Sequence, residues 1–312
     1  MSTTLCGVEL AGPVLNGSGT FDAIAARRAF GDALLERFPF DAFVSKTITR
    51  EPREGNPPPR LWEAPAGLIN SIGLPNKGLE GFLAQDLPQL AELPVPLVVS
   101  VMAYTPGDLA ELAGRVAARD EVALVELNVS CPNVESGLVI GADPSETARA
   151  MEAVRERCEK PVIVKLTPNA SEPAAVAAAA EGAGADAVSL LNTLKGMALD
   201  PATRMPWLGG GSGGVSGPAV RAVALEQVAS VSARVRIPVV GMGGIASGAD
   251  AADFLAVGAH VVAVGTESFR DPAAGARIRA ELGRVEGHAH SGTADDGDEA
   301  RADAAKSGAR TA

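Results

Sequence analysis

The chain has 312 residues, of which 46% are hydrophobic, so it can hold one large domain or two ordinary ones. Its formal net charge of -11 argues against nucleic acid or an anionic membrane surface as a partner, because both favour a basic face. Three widely spaced cysteines indicate a reducing compartment. With no secretion signal and no apolar span of roughly 18–20 residues, the sequence predicts a cytoplasmic protein.

A short hairpin is predicted over Leu5–Leu10, and short apolar strands then alternate with Ala-rich amphipathic helices. The predicted strands are Pro13–Asn16, Ala42–Lys46, Leu97–Val101, Val122–Asn128, Val162–Leu166, Ala187–Leu191, Val239–Gly241 and Val261–Val264. The predicted helices are Ala23–Arg37, Leu79–Glu92, Gly107–Arg119, Pro144–Cys158, Glu172–Gly182, Pro218–Val235, Ala249–Val257 and Ala273–Gly283. Alternation implies parallel pairing, and eight units over about 250 residues match an α/β fold, the TIM (β/α)8 barrel. A doubly wound open sheet is the alternative, but it would be long for one sheet.

Residues 1–285 are predicted to form this barrel, and residues 286–312 a disordered tail that is too polar and too rich in Gly and Ser for a core. His288 and His290 are interpreted as tail residues, and no metal site is predicted. Long connections follow three strands on the functional face: Ile48–Asn76, a predicted antiparallel flap; Leu194–Gly217, a glycine-rich excursion; and Val134–Gly141, a candidate mobile lid. Each could also be an ordinary surface insertion.

One strand end carries a thiol and two amides. The run from Val122 to Leu127 is interpreted as a buried apolar strand that delivers Asn128, followed by Cys131 and Asn133. In a barrel the carboxyl ends of the strands converge on one face, where active sites lie. Because no histidine base, Ser-His-Asp set or carboxylate pair occurs at the other strand ends, Cys131 is the best-placed group for proton transfer. The alternative is a packing cysteine beside turn-forming asparagines.

Glycines and lysines at other strand ends indicate an anionic ligand. Gly241–Ile245 and Gly265–Thr266 let the backbone approach a ligand, and N–H groups at the following helix starts can hold a phosphate. Lys46 and Lys165 are predicted to end buried strands, where an ammonium is costly unless it meets an anion or a carbonyl oxygen. Tight packing and structural salt bridges are the alternatives. With Asn70, Asn128, Asn133 and Asn192, these groups suit a planar, carbonyl-rich, anionic small molecule.

The segment Glu126–Asn133 resembles the active-site motif of class 1 dihydroorotate dehydrogenases. The resemblance continues in consistent order over about residues 5–285. The other segments that carry it are Ser45–Thr47, Gly55–Pro57, Asn70–Leu74, Lys165–Asn169, Asn192–Thr193, Ser216–Pro218, Gly241–Gly244 and Val264–Thr266.

This resemblance implies a barrel with one FMN per chain that oxidises dihydroorotate to orotate in pyrimidine biosynthesis. Cys131 would remove the C5 proton while a hydride leaves C6 for the flavin N5; a cysteine there, where class 2 enzymes use serine, implies class 1. The residues implied for FMN are Ser18, Lys46, Thr47, Asn128, Lys165, Leu191, Gly217, Gly243, Gly244, Gly265 and Thr266. Those implied for the pyrimidine are Lys46, Asn70, Ser71, Ile72, Gly73, Leu74, Asn128, Asn133, Asn192 and Thr193.

The resemblance also bears on the electron acceptor. The B type pairs a flavin barrel with a subunit that carries FAD and a 2Fe–2S cluster and passes electrons to NAD, whereas the A type is a homodimer that uses fumarate. Ile72 and Asn56–Arg60 resemble the B type, Pro75 with Asn76 resembles the A type, and Ser100 departs from an asparagine usual in the B type. The B type implies a homodimer core within a heterotetramer. Other flavin barrels acting on a dihydropyrimidine, and a phosphate-binding lyase or isomerase barrel without flavin, are further alternatives.

Overall fold

Short strands and amphipathic helices alternate along the chain in the computed structural model, which describes residues 2–130 and 139–285. The strands are β1 (Thr3–Leu5), β2 (Val8–Leu10), β3 (Val14–Asn16), β4 (Phe43–Val44), β5 (Leu61–Ala64), β6 (Gly67–Asn70), β7 (Leu97–Val101), β8 (Leu124–Asn128), β9 (Val162–Lys165), β10 (Ala187–Leu190), β11 (Leu194–Gly196), β12 (Gly213–Ser216), β13 (Val239–Met242) and β14 (Val261–Val264).

The helices are α1 (Ala23–Phe30), α2 (Ala33–Glu36), α3 (Gly78–Gly81), α4 (Leu87–Leu90), α5 (Pro106–Ala117), α6 (Pro144–Arg155), α7 (Pro173–Gly182), α8 (Arg221–Ser232), α9 (Gly248–Ala256) and α10 (274–285). A π-helical segment, Phe82–Asp86, joins α3 to α4, and short 3₁₀ turns cover Ile140–Ala142, Pro218–Val220 and Thr266–Phe269. No helix in these ranges is both long and apolar enough to cross a membrane.

The central sheet has eight parallel strands in the order β3-β14-β13-β10-β9-β8-β7-β4, with a helical segment after each strand. The last strand, β14, therefore pairs with the first barrel strand, β3, which is what barrel closure requires. The predicted TIM barrel is confirmed, and all eight barrel strands lie where the sequence placed them, although β4 ends at Val44 rather than at Lys46.

The barrel interior is layered. Its lower part is an apolar cluster that includes Leu15, Leu124 and Ile163, and the β1–β2 hairpin adds the buried side chains of Leu5 and Leu10. Side chains two residues apart point to the same side of a strand. The inward-facing side chains two residues beyond this apolar cluster are polar. These polar positions are Ser100, Glu126, Lys165 and Ser189. The polar layer lies directly beneath the carboxyl-terminal face of the barrel.

The helices pack their apolar faces on the outside of the barrel, where they form the larger core cluster. Side chains cap several helix starts: Asp22 accepts from Ala25 N–H, and Thr105 accepts from Asp108 N–H. The predicted helix over Ala23–Arg37 is wrong as a single element. It divides at Gly31, which has a φ of 62°, a left-handed value that a regular helix cannot contain.

The two long insertions form one sheet rather than two separate excursions. Four antiparallel strands lie in the order β11-β12-β6-β5, so the predicted flap and the glycine-rich excursion pair through β6 and β12. Trp62 and Trp207 pack edge to face with centroids 5.1 Å apart, beside buried Leu208. This sheet therefore has its own small core.

The glycine-rich run is explained by close backbone approach between the two insertions. A Cβ at Gly210 would collide with Ser71 Oγ, and one at Gly213 would collide with the carbonyl oxygen of Asn70. Of the predicted lid Val134–Gly141, Ile140 and Gly141 are buried, and Gly141 N–H donates to Val129 O at 2.7 Å. Residues 134–138, like the predicted tail 286–312, lie outside the described ranges.

Candidate active site

A cavity of about 400 Å³ lies between the carboxyl ends of the barrel strands and the four-stranded sheet. Such a volume falls within the range of small-molecule and cofactor sites. Its lining comes from the loops after β3, β4, β10 and β14, from the ends of β8, β9 and β13, and from β5, β6 and β12. Active sites of this fold lie on the same face.

The residues predicted to hold FMN all line this cavity: Ser18, Lys46, Thr47, Asn128, Lys165, Leu191, Gly217, Gly243, Gly244, Gly265 and Thr266. Of the residues predicted to hold the pyrimidine, the structure places Lys46, Asn70, Ile72, Leu74, Asn128, Asn192 and Thr193 on it. Cys131 and Asn133 fall in the stretch 131–138, outside the described residues.

Two predicted pyrimidine residues are not placed on the cavity wall. The hydroxyl of Ser71 is bonded to Asn56 Nδ2 at 2.9 Å, and the Ser71 N–H donates to Arg60 O at 2.8 Å. Gly73 has a φ of 77°, and a Cβ there would meet Asn56 N at 2.5 Å. Both residues therefore hold the turn of the flap in shape through Asn56.

The two predicted lysines have different environments. The side chain of Lys165 is 8% exposed, and its ammonium lies 4.0 Å from Glu126 Oε1. Lys46 was predicted to end a buried strand, and that prediction is wrong: β4 ends two residues earlier, and Lys46 is exposed. Among the described residues, no carboxylate oxygen lies within 4.0 Å of the Lys46 ammonium, which leaves it available to an anionic ligand.

A buried carboxylate interrupts the strand that was interpreted as wholly apolar. Glu126 is 3% exposed, and its two oxygens accept hydrogen bonds from Ser100 Oγ at 2.9 Å and Ser189 Oγ at 3.3 Å. Burial of a carboxylate is costly unless hydrogen bonds and an opposite charge compensate it. Here the two hydroxyls and Lys165 provide that compensation.

A chain of hydroxyls connects this carboxylate to the cavity. Ser18 Oγ lies 3.1 Å from Thr47 Oγ1, which in turn lies 2.9 Å from Ser100 Oγ. Ser100, which stands where the family resemblance suggests an asparagine, is fully buried and contacts Glu126. Its role in this structure is therefore to link Thr47 to Glu126.

The amide side chains hold one another in fixed orientations. Asn128 Oδ1 accepts from Ser130 Oγ at 2.5 Å and from Asn192 Nδ2 at 3.3 Å, while Asn192 Oδ1 accepts from Thr193 N–H at 2.9 Å. Amides fixed in this way present donors and acceptors to a ligand with little loss of rotamer freedom. They suit the edge of a planar ring with alternating carbonyl and N–H groups.

The glycines after the last two strands leave backbone donors unused. The N–H groups of Gly243, Gly244 and Gly265, which line the cavity, donate to no described acceptor. A Cβ at Gly243 would meet Ala224 Cβ at 2.7 Å, and one at Gly244 would meet Arg221 Cβ at 2.8 Å. A concave run of free N–H groups is suited to an anion such as a phosphate.

The prediction that the following helix start also binds a phosphate is wrong for α9. Its first N–H, from Gly248, donates to Glu281 Oε2 at 2.7 Å, and Ala246 N–H donates to Asp250 Oδ2 at 3.0 Å. The Gly248 hydrogen bond, with help from Arg277, lowers the pKa of the Glu281 carboxyl. The chain's own carboxylates thus occupy this helix terminus.

Sequence reasoning did not assign several residues of the wall. Gly17 and Thr20 follow β3, and Thr20 Oγ1 donates to Gly17 O at 2.7 Å; their place just beyond a barrel strand was the available signal. No such signal marks Leu61, Leu68 and Val215, because they reach the wall only through the way the insertions fold over the barrel. The other apolar wall residues left unassigned are Val220, Met242 and Phe269.

Comparisons with known proteins show which family the chain resembles. The family model for dihydroorotate dehydrogenase matches residues 1–285. A protein of Pelobacter propionicus, named dihydroorotate dehydrogenase B (NAD(+)), catalytic subunit, is 46% identical over 280 residues, covering 89% of this chain and 90% of its own length. A protein of Desulforudis audaxviator with the same name is 44% identical over 285 residues, covering 90% and 91%. A protein of Solibacter usitatus, named provisionally as dihydroorotate dehydrogenase A (fumarate), is 45% identical over 288 residues, covering 91% and 92%.

Proposed function

Since the chain belongs to the dihydroorotate dehydrogenase family, we propose that it oxidises (S)-dihydroorotate to orotate with FMN bound in the cavity above the barrel. The observation that carries the proposal is the convergence of Lys165, Asn128 and the glycines after the last two barrel strands on that single cavity. These residues span positions 128 to 265 of the sequence, yet they share one wall.

The cavity wall fits a flavin mononucleotide by its chemistry. The free N–H groups of Gly243, Gly244 and Gly265 suit the phosphate, and side chains at Gly243 and Gly244 would collide with the surrounding wall. A bound flavin would accept the hydride that leaves the substrate. Lys165, buried at the cavity wall, would stabilise negative charge on the reduced ring.

For the substrate we propose an anion-binding lysine and a set of amides. Lys46, whose ammonium has no carboxylate partner among the described residues, would bind the carboxylate of dihydroorotate. Asn70, Asn128 and Asn192 would bind the ring carbonyl and N–H groups. Ser71, Ile72, Gly73, Leu74, Asn133 and Thr193 complete the proposed set. The four-stranded sheet would exclude water from the reacting atoms.

Cys131 is the proposed general base. It lies outside the described residues, so the proposal rests on the motif Glu126–Asn133 and on the position of Asn128 at the cavity wall. Cys131 would take the C5 proton on its sulfur as the C6 hydride departs. For this step the thiol must be ionised, which nearby positive charge favours.

We propose NAD as the final electron acceptor, reached through a second subunit that carries FAD and a 2Fe–2S cluster. The names of the relatives from Pelobacter and Desulforudis support this, since both are called the catalytic subunit of an NAD-linked enzyme. The corresponding assembly would be a heterotetramer around a homodimer of this chain. Direct reduction of fumarate by a homodimer is the second candidate, favoured by the Solibacter relative at 45% identity.

Anaerobic flavin chemistry tests these proposals. The purified chain should be yellow, release FMN on denaturation and be bleached by dihydroorotate, with orotate but not uracil as a competitor. Reoxidation by NAD only when an FAD/iron–sulfur subunit is added supports the B type, whereas reoxidation by fumarate alone supports the A type. A chain that stays colourless after reconstitution with FMN would contradict the proposed function.

A further inference from the structure

We propose that Glu126 is a positioning residue that holds Lys165 beneath the flavin and sets the redox potential of the bound cofactor. The inference deepens the proposed function and rests on it, because it requires FMN in the cavity that Lys165 lines. It concerns a carboxylate that the proposed chemistry does not use.

Glu126 is anchored by two other strands of the barrel, β7 beside its own strand and β10 beyond β9. Ser100, its register partner on β7, donates to Oε1 at 2.9 Å, and Ser189 on β10 donates to Oε2 at 3.3 Å. The carboxylate is buried in the polar layer of the barrel and does not line the cavity. Its orientation is therefore fixed by the scaffold rather than by a ligand.

Lys165 lies between this carboxylate and the cavity. Its ammonium is 4.0 Å from Glu126 Oε1, its side chain is 8% exposed, and the residue forms part of the cavity wall. No other carboxylate of the described residues lies within 4.0 Å of that ammonium. The charge that a ligand meets at this point of the wall is thus the charge of a buried pair, not of a lone cation.

The effect of such a pair on a flavin follows from electrostatics in a poorly solvated site. A lone Lys165 would favour the anionic reduced flavin strongly, since charges interact over longer distances where water is excluded. A fixed carboxylate 4.0 Å from the ammonium draws it toward the barrel interior, and this weakens the attraction that Lys165 exerts on the flavin. A purely structural reading, in which the pair only maintains the barrel, predicts no effect on the flavin once the protein is folded.

The substitution Glu126→Gln removes the negative charge but retains the shape and hydrogen-bonding capacity of the side chain. We expect the equilibrium ratio of reduced to oxidised flavin to rise at least tenfold at a fixed dye ratio. That corresponds to a potential about 30 mV more positive for a two-electron couple. Lys165→Met should shift the ratio in the opposite direction.

The experiment is an anaerobic titration of the FMN-loaded full chain against a reference dye, followed by flavin absorbance. Glu126→Gln, Lys165→Met and the double variant are compared, and the shift caused by Glu126→Gln should fall below twofold when Lys165 is already methionine. Asp41→Asn is the matched control: Asp41 is also a buried carboxylate, but it bonds Val14 N–H and Arg279 ahead of β4. It should change stability and leave the ratio within twofold of wild type.

A ratio within twofold of wild type for Glu126→Gln would overturn the inference, as would an equal shift in the Lys165→Met background. If Glu126→Gln does not retain flavin, Glu126→Asp is measured instead, because its side chain is one methylene shorter and places the carboxylate farther from the Lys165 ammonium. A shift of more than twofold toward reduced flavin then supports the inference, and a wild-type ratio overturns it. Failure of both variants to fold would assign Glu126 to the scaffold alone. A wild-type chain that binds no FMN would instead contradict the proposed function.

Discussion

The side chain of Asn16 joins the first and second barrel strands by bonding both backbone groups of Val44. Asn16 Oδ1 accepts from Val44 N–H at 2.8 Å, and Asn16 Nδ2 donates to Val44 O at 2.8 Å. Among the described residues, only one backbone hydrogen bond, from Asp41 N–H to Val14 O, supports this seam between the first and second barrel strands. The amide therefore takes the place of a missing ladder and closes the barrel.

Asn16→Ala should destabilise the protein by about 3 kcal/mol, because it leaves two buried backbone groups without partners. The midpoint of urea unfolding measures the loss. Asn169→Ala is the matched control: Asn169 also bonds backbone groups, of Thr193 and Lys195, but it is exposed and water can replace it. Equal losses of unfolding free energy in the two variants would show that the Asn16–Val44 hydrogen bonds contribute no more than exposed ones.

The contact between Gly214 and Thr193 gives a prediction for the sheet over the cavity. A Cβ at Gly214 would overlap Thr193 Oγ1, so Gly214→Ala should displace β11 and β12 from each other. We expect orotate affinity to fall about tenfold, which is about 1.4 kcal/mol, within the usual cost of overpacking. Titration of orotate by flavin absorbance measures this, while FMN content should be retained.

The control for this variant is Gly211→Ala. A Cβ at Gly211 has open space, although its φ of 79° makes alanine strained there by about 1 kcal/mol. Its effect on orotate affinity should be under threefold. A similar loss of affinity in both variants would assign the effect to loop strain rather than to the Gly214–Thr193 contact.

The barrel was predictable from the sequence because each strand carries its own signal, as in the runs Leu97–Val101 and Val261–Val264. The pairing of the two insertions was not, since the partners Asn70 and Gly214 are far apart in the chain and neither carries a mark of the other. Glu126 was overlooked for a related reason. The role of one acidic residue in an apolar strand depends on its partners Ser100, Ser189 and Lys165, which lie on other strands.

The carboxylate of Glu281 gives a pH-dependent prediction. Its pKa is lowered in the folded protein, first by the hydrogen bond from Gly248 N–H. A carboxyl with a lowered folded pKa stabilises above its unfolded pKa, about 4.3, and loses that contribution as the pH falls through the folded value. Glu281→Gln should therefore cost about 1–2 kcal/mol at pH 7 and much less in acid.

Urea unfolding of wild type and Glu281→Gln at neutral and at acidic pH measures this difference. Glu80→Gln is the control, because Glu80 is an exposed partner of Arg115 and such pairs contribute about 0–1 kcal/mol. If the cost of Glu281→Gln is the same below pH 4 as at pH 7, the stabilisation does not come from the ionised carboxylate.

The two described cysteines should react slowly with alkylating reagents, so the reactivity of Cys131 should differ from theirs. Burial, followed by the charge of Asp186, raises the pKa of Cys6 to about 12, and burial also raises the pKa of Cys158. At pH 8 only about one Cys6 in 10,000 is a thiolate, the form that alkylating reagents attack. If Cys131 is the catalytic base, iodoacetamide should therefore modify it alone at a fast rate in the native protein.

Mass spectrometry of the labelled peptides at timed intervals measures these rates. Orotate should protect Cys131, and the rate at Cys6 should keep rising about tenfold per pH unit beyond pH 9, because its thiol is still mostly protonated there. The matched control is Cys131→Ala, in which no fast modification should remain. Rapid labelling of Cys6 or Cys158 in that variant would contradict the burial that raises both pKa values.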